Sequence, residues 1–199
     1  VLLSHAPAAE LAWMAQGNGA ARLLVMHNDF VLLGPAEDPA GVRAERSAAG
    51  ALARVGRSTA LFVSRGDNSG THQAELALWR AAGLDPRGRG WYQETGQGMG
   101  ATLTIAAEKG AYTLADRGTF LARRATLRLE ILTQGSPELR NVYHVMPVDP
   151  ARFPAVNGAG GRAFADFLVS PEAQAAIAAF GAEKYGEPLF FADAGQPES

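Results

Sequence analysis

The chain has 199 residues, of which 47% are hydrophobic and 19% charged, with a formal net charge of -2. That balance describes a globular chain with a sizeable core, in one domain or two small lobes, and excludes a disordered segment. It also excludes whole-molecule attraction to nucleic acid or anionic lipid, while the absence of cysteine excludes disulfides and thiolate metal sites.

The first residues, Val1-Leu2-Leu3-Ser4-His5-Ala6-Pro7, carry no methionine and no basic leader. They read as a buried strand already under way, in a chain truncated at its start. No apolar run reaches the roughly 18 residues a transmembrane helix needs. After a strand at 1–3, a helix is predicted at 8–16, stopped by Gly17-Asn18-Gly19. Residues 23–26 and 29–33 form an extended stretch ended by Gly34-Pro35, and Asp38-Pro39-Ala40-Gly41 is turn chemistry. A weakly patterned helix follows at 44–56. Leu61-Phe62-Val63 is a strand that runs into Ser64-Arg65-Gly66-Asp67-Asn68-Ser69-Gly70. Residues 71–82 are helical, with Leu76, Trp79 and Ala82 at helical spacing and Gly83 and Pro86 as the stop.

Further along, Gly96-Gln97-Gly98-Met99-Gly100 precedes a helix at 101–109. A strand at 111–114, a short helix at 116–122 and a strand at 127–132 come next. Residues 141–148 are extended, with Pro147 and Pro150 favouring an edge or crossing segment. A helix is predicted at 161–169, and Ser170-Pro171-Glu172 supplies a cap, a first-turn proline and an early acid for a last one at 171–180. Short apolar runs alternating with helical stretches make this an α/β chain.

The 64–71 loop lies between a predicted strand and a predicted helix, so first-turn N–H groups point into it. A helix N-terminus carries partial positive charge and suits an anion. Arg65 adds a guanidinium, Ser64, Ser69 and Thr71 add hydroxyls, and Gly66 and Gly70 let the backbone approach closely. Such donors fit a small, fully deprotonated oxyanion that only accepts hydrogen bonds. The plainer alternative has Ser69 or Thr71 capping the helix while Arg65 pairs with Asp67. The loop is not a Walker A motif, since no Lys-Ser/Thr follows its glycine, and 96–100 lacks the third glycine of a dinucleotide fingerprint. That second loop reads as a tight turn, with the wall of the same site as its functional alternative. His5, His27, His72 and His144 show no metal-ligand spacing and read as structural or surface residues. Tyr112-Thr113 leading into Asp116-Arg117 reads as a helix cap with a local ion pair, with polar ligand contacts at a strand's end as its functional alternative, and no catalytic nucleophile stands out.

On Ser64-Arg65-Gly66-Asp67-Asn68-Ser69-Gly70-Thr71-His72 the chain resembles the tungstate-binding proteins of ABC importers, the TupA-like branch of the periplasmic binding proteins. Supporting stretches are His27 to Pro35, Trp91 to Gly100, Ala111 to Thr119 and Tyr185 to Phe190. The resemblance implies an α/β, two-lobed, type II periplasmic binding protein-like fold with the first lobe incomplete. Residues 1–28 and 148–199 would form that first lobe, 34–140 the second, and 29–33 and 141–147 the crossing segments. It implies an oxyanion held by Arg65, Ser69 and Thr71, with Ser64 and Gly70 beside them. Tungstate or molybdate would be the ligand and an ABC permease the partner, with no cofactor, no coordinated cation, no catalysis and no nucleic acid. The location implied is periplasmic or extracellular, free or anchored at the cell surface. Relatives also begin with a strand and a Thr/Ser-rich loop that supplies further donors, and Ala115 stands where they often carry a hydroxyl. The competing reading is an oxyanion-sensing effector domain of a cytoplasmic transcriptional regulator.

Overall fold

The computed structural model describes residues 1–197. It divides into two compact units, one formed by Val1–Asn28 with the chain from Asn141, the other by Asp29–Arg140.

In the terminal unit, β1 (Leu2–Ser4) runs antiparallel to β7 (Arg140–Met146), with Leu3 opposite Val145 and Ser4 opposite His144. The opening strand therefore forms, but it is not buried: Leu2 and Leu3 are 42% and 46% exposed, because β1 ends the strand order and is paired on one side. Pro7 opens α1 (Pro7–Ala15), which has no side-chain cap. Glu10 takes that place, accepting the Ala6 N–H at 2.9 Å on one oxygen and Arg22 Nε at 3.1 Å on the other. His144 Nδ1 lies 2.9 Å from the same Glu10 oxygen, so this buried acid has both a cation and a ring beside it.

The two extended stretches predicted at 23–26 and 29–33 are one strand, β2 (Leu23–Gly34). The polar residues between them stay extended because β8 (Phe191–Ala192) pairs with Met26 and His27, and Asp193 accepts from His27 at 2.7 Å. Asn157 caps α6 (Gly158–Leu168), and Ser170 caps α7 (Pro171–Ala179) with Pro171 in its first turn, as the Ser-Pro-Glu signal requires. A short α8 (Ala182–Tyr185) follows. Val25, Val145 and Ala165 form this unit's core, with Leu168 and Ile177 packed against them.

In the central unit the second half of β2 lies between β5 (Thr113–Asp116) and β6 (Glu130–Thr133), antiparallel to both, with a register shift between Leu32 and Leu33 opposite β6. β6 starts later than the strand predicted at 127–132, because a 3-10 turn at Arg124–Thr126 prolongs the helix before it. Next to this group stand β3 (Phe62–Ser64) and β4 (Tyr92–Glu94), parallel to each other, and Phe62 bridges in parallel to Tyr112 just before β5. Each of these three parallel strands feeds a helix: α3 (Gly70–Ala81), α4 (Met99–Lys109) and α5 (Arg117–Arg123). Their N-termini consequently gather at one strand end, where open α/β sheets bind ligands. α2 (Ala48–Ser58) packs its Ala51, Leu52 and Val55 into a core with Phe62, Leu78, Trp79, Tyr92 and Tyr112.

Close packing leaves little tolerance at the end of β2. A Cβ on Gly34 would sit 2.6 Å from Leu132 Cδ1 and 2.7 Å from Tyr112 Cδ1. Gly34→Ala is therefore expected to lower stability by about 1–3 kcal/mol, the usual cost of overpacking. Urea unfolding measures it, and an unchanged midpoint would show that the sheet relaxes around the added methyl.

Candidate functional site

The 64–71 loop follows β3, whose backbone is saturated on both sides: Phe62 N donates to Trp91 O and Val63 N to Tyr112 O. After Ser64 the chain leaves the sheet. Thr95 N donates to Ser64 O at 3.0 Å, and Gly96 N donates to Arg65 O at 2.8 Å, so the loop after β4 pins the first half of this one. Gly66 has φ of 61°, and a Cβ there would lie 2.6 Å from Glu94 Cβ. Both facts require glycine at that position.

Asp67 organises the rest. Its Oδ2 accepts from Arg65 Nε at 3.1 Å and from Arg65 Nη2, while its Oδ1 accepts from Ser69 N at 3.1 Å and Ser69 Oγ at 2.6 Å. Burial pushes this carboxyl up, but the hydrogen bonds from Ser69 and Arg65 outweigh it and hold the group down at about 2. Asp67 is thus a carboxylate with both oxygens committed. Ser69 caps α3, accepting from His72 N at 3.4 Å. The Arg65–Asp67 pair and the Ser69 cap of the plainer alternative are both present, and donors remain beyond them. Among the described residues, Arg65 Nη1, Thr71 Oγ1 and the N–H groups of Gly70 and Thr71 have no hydrogen-bond partner. A guanidinium edge, a hydroxyl and the first-turn amides of a helix together make a donor set for an anion.

Ser64 does not belong to that set. It is 0% exposed, and its Oγ donates inward to Glu75 Oε2 at 2.7 Å while accepting from Gly66 N at 3.2 Å. The loop's direction change after β3 turns this side chain to the core, and Ser64 supports the loop rather than lining it. Two further residues hold the loop: His72, which the sequence read as structural, and Glu75, which it did not single out. His72 Nδ1 accepts from Asn68 N at 3.0 Å, which keeps Asn68 in its left-handed conformation and places the proton of a neutral ring on Nε2. That Nε2 is buried and 3.7 Å from Glu94 Oε1, outside hydrogen-bond reach. The signal for His72 was its place in the first turn of α3, since helical side chains lean back toward the N-terminus. Glu75 accepts from Ser64, from Tyr92 OH at 2.7 Å and from Trp79 Nε1 at 3.2 Å. Nothing but its place on the apolar face of α3 marked it.

Burial pushes the Glu75 carboxyl up to about 7, against the hydrogen bonds from Ser64, Tyr92 and Trp79. Burial, with the Glu75 charge beside it, also raises the Tyr92 phenol. The unfolded Glu75 ionises near 4.5, so between 4.5 and about 7 the folded state holds the extra proton. Stability from this group is complete below that window and lost as pH rises through about 7. The expected loss is on the order of 3 kcal/mol, read as a falling urea midpoint, and a midpoint unchanged across the window would contradict the burial of this acid.

At the neighbouring strand ends, Gly96 to Gly98 turn directly into α4, and Asp116 caps α5 by accepting from Thr119 N at 2.8 Å. Arg117 does not pair locally with Asp116 as its sequence neighbour suggested. It reaches Asp29 at 3.3 Å and Gln134 at 2.9 Å, because the antiparallel β2 brings Asp29 alongside. Among the described residues no three metal-ligating side chains cluster, and no helix is long and apolar enough to cross a membrane.

The chain has relatives among known proteins. The family description that matches, over residues 1–172, is the PBP superfamily domain. A Haloferax volcanii candidate ABC transporter anion-binding protein is 50% identical over 98% of this chain, and the chain spans 57% of that relative's length. The tungstate-binding protein TupA of Peptoclostridium acidaminophilum is 45% identical over 96% of this chain and 67% of its own length. Among solved structures, the tungstate-binding protein TupA of Desulfovibrio alaskensis superposes with a TM-score of 0.90 at 45% identity, covering 97% of this chain and 78% of that one.

Proposed function

The chain belongs to the PBP superfamily, in its TupA-like branch, and we propose that it is the substrate-binding component of an ABC importer that captures tungstate. The supporting observation is the loop itself: Arg65 Nη1, Thr71 Oγ1 and two first-turn amides are donors of one short loop left without a partner, with both Asp67 oxygens committed to Arg65 and Ser69. Tungstate and molybdate present the same charge and nearly the same shape, so both fit these donors. Arg65, Ser69, Gly70 and Thr71 form the proposed ligand set, with Ser69 acting through its cap and its hold on Asp67. The two compact units are the proposed lobes of a type II binding protein. In this role the protein binds and releases without making or breaking bonds, hands its ligand to a membrane permease and works in the periplasm or outside the cell.

The anion's protonation state tests this reading. A fully deprotonated dianion needs only donors, whereas monohydrogen phosphate brings a proton that needs an acceptor. Both Asp67 oxygens are already occupied, and the acid stays ionised. The full-length protein is therefore expected to bind tungstate and molybdate, and phosphate about 10–100-fold more weakly, the cost of one unpaired polar group. Calorimetric titration with tungstate, molybdate, sulfate and phosphate measures this. Phosphate bound as tightly as tungstate would overturn the ligand assignment.

A further inference from the structure

Beneath the loop lies a carboxylic acid that anion capture, as described, does not use. Glu75 is 2% exposed, and every group touching its oxygens is a neutral donor: Ser64 Oγ, Tyr92 OH and Trp79 Nε1. No cation pairs with it among the described residues. Its titratable neighbours are the Tyr92 phenol and the Glu94 carboxylate of β4, and His72 one turn earlier on α3. The other elements packed on α3, namely α2 and β5, present Leu52, Val55 and Leu114 to this core. Through Ser64 Oγ, which also accepts from Gly66 N, the acid is one hydroxyl away from the loop backbone.

We propose that Glu75 is a positioning residue for the anion-binding loop, holding Ser64 and the Gly66 N–H in place, and that it takes up a proton from solvent as the anion arrives. The inference rests on the oxyanion reading of the loop. A carboxylate fixed under donors that receive a dianion repels it, and a neutral acid does not. Burial without a cation already favours the neutral form. Protonation reverses the Ser64 bond: Ser64 Oγ has two lone pairs and accepts from Gly66 N–H and the new Glu75 O–H together, while its own hydroxyl proton rotates away from Oε2. Tyr92 and Trp79 keep donating to Oε1. Linkage then runs both ways: the proton strengthens anion binding, and the anion strengthens proton binding by the same factor.

The test is calorimetry of sodium tungstate with the full-length protein in two buffers of different ionisation enthalpy, near neutral pH. Wild type is expected to take up about half a proton per anion, and its affinity to fall about five- to tenfold as pH rises by about two units through neutrality. Glu75→Gln is expected to take up none, to show flat affinity and to bind more tightly than wild type on the alkaline side. A purely structural role would not produce that reversal. Wild-type binding without proton uptake overturns the proposal with no variant needed. Uptake that persists in Glu75→Gln assigns the proton to another group, such as His72, and overturns it too. Tungstate left unbound by wild type at every pH overturns both this inference and the oxyanion reading.

Discussion

Replacing Arg65 by alanine is expected to weaken tungstate binding by about 2–5 kcal/mol, the range for truncating one side of a desolvated charged pair. Two effects add in the same direction. The variant loses a planar fork of charge-assisted donors, which no other basic residue in the loop replaces. It also strips Asp67 of its cation, leaving a carboxylate held only by Ser69 beside the incoming dianion. Arg65→Lys restores the charge but not the planar fork that presents one edge to Asp67 and another to the anion. It is expected to recover part of the loss, because its three donors radiate from one nitrogen and offer no second planar edge for the anion. Isothermal titration of the three proteins measures the series, and near-native affinity in the alanine variant would remove this loop from the site.

The second large effect lies in the core that carries the loop. Trp79 is 0% exposed and packs edge-on against Phe62 at 5.2 Å and Tyr92 at 6.3 Å, with Trp91 at 5.5 Å. Its Nε1 donates to Glu75. Trp79→Ala opens a large cavity and removes one of three donors from a buried acid, and is expected to cost about 3–5 kcal/mol of stability. Trp79→Phe keeps most of the volume and loses the hydrogen bond, and is expected to cost about 1–2 kcal/mol. Chemical denaturation separates the two. Equal losses would mean that the Glu75 contact, not the packing, carries the effect.

Sequence patterning reaches some of this structure and misses the rest for identifiable reasons. The strand–loop–helix at 61–82 is legible because a short apolar run, a glycine-punctuated polar loop and a helical spacing stand side by side. Ser170-Pro171-Glu172 likewise announces α7 through cap chemistry that acts within a few residues. By contrast, β4 is three residues long, with Gln93 and Glu94 exposed, so it carries no alternation to detect. It exists because β3 offers a parallel edge. The unity of β2 is a tertiary effect of the same kind, since β8 arrives from more than 150 residues away to pair with Met26 and His27. At the site, residue types named the chemistry, but side-chain direction was not legible. Ser64 and Ser69 read alike as hydroxyls, and only the fold turns one to Glu75 and the other to Asp67. Glu75 looked like one more polar residue on a helix, since its burial depends on Tyr92 and Trp79 closing over it.

The loop from Arg65 to Thr71 is the proposed seat of the anion. Tungsten scatters X-rays anomalously, so a crystal of the full-length protein grown with tungstate locates the ligand without reference to any assumed pose. One strong anomalous peak is expected, whose surrounding oxygens accept from Arg65, Thr71 Oγ1 and the Gly70 and Thr71 N–H groups, with Asp67 still bound to Ser69. A peak at full occupancy elsewhere, with the Arg65–Asp67–Ser69 arrangement untouched, would contradict it.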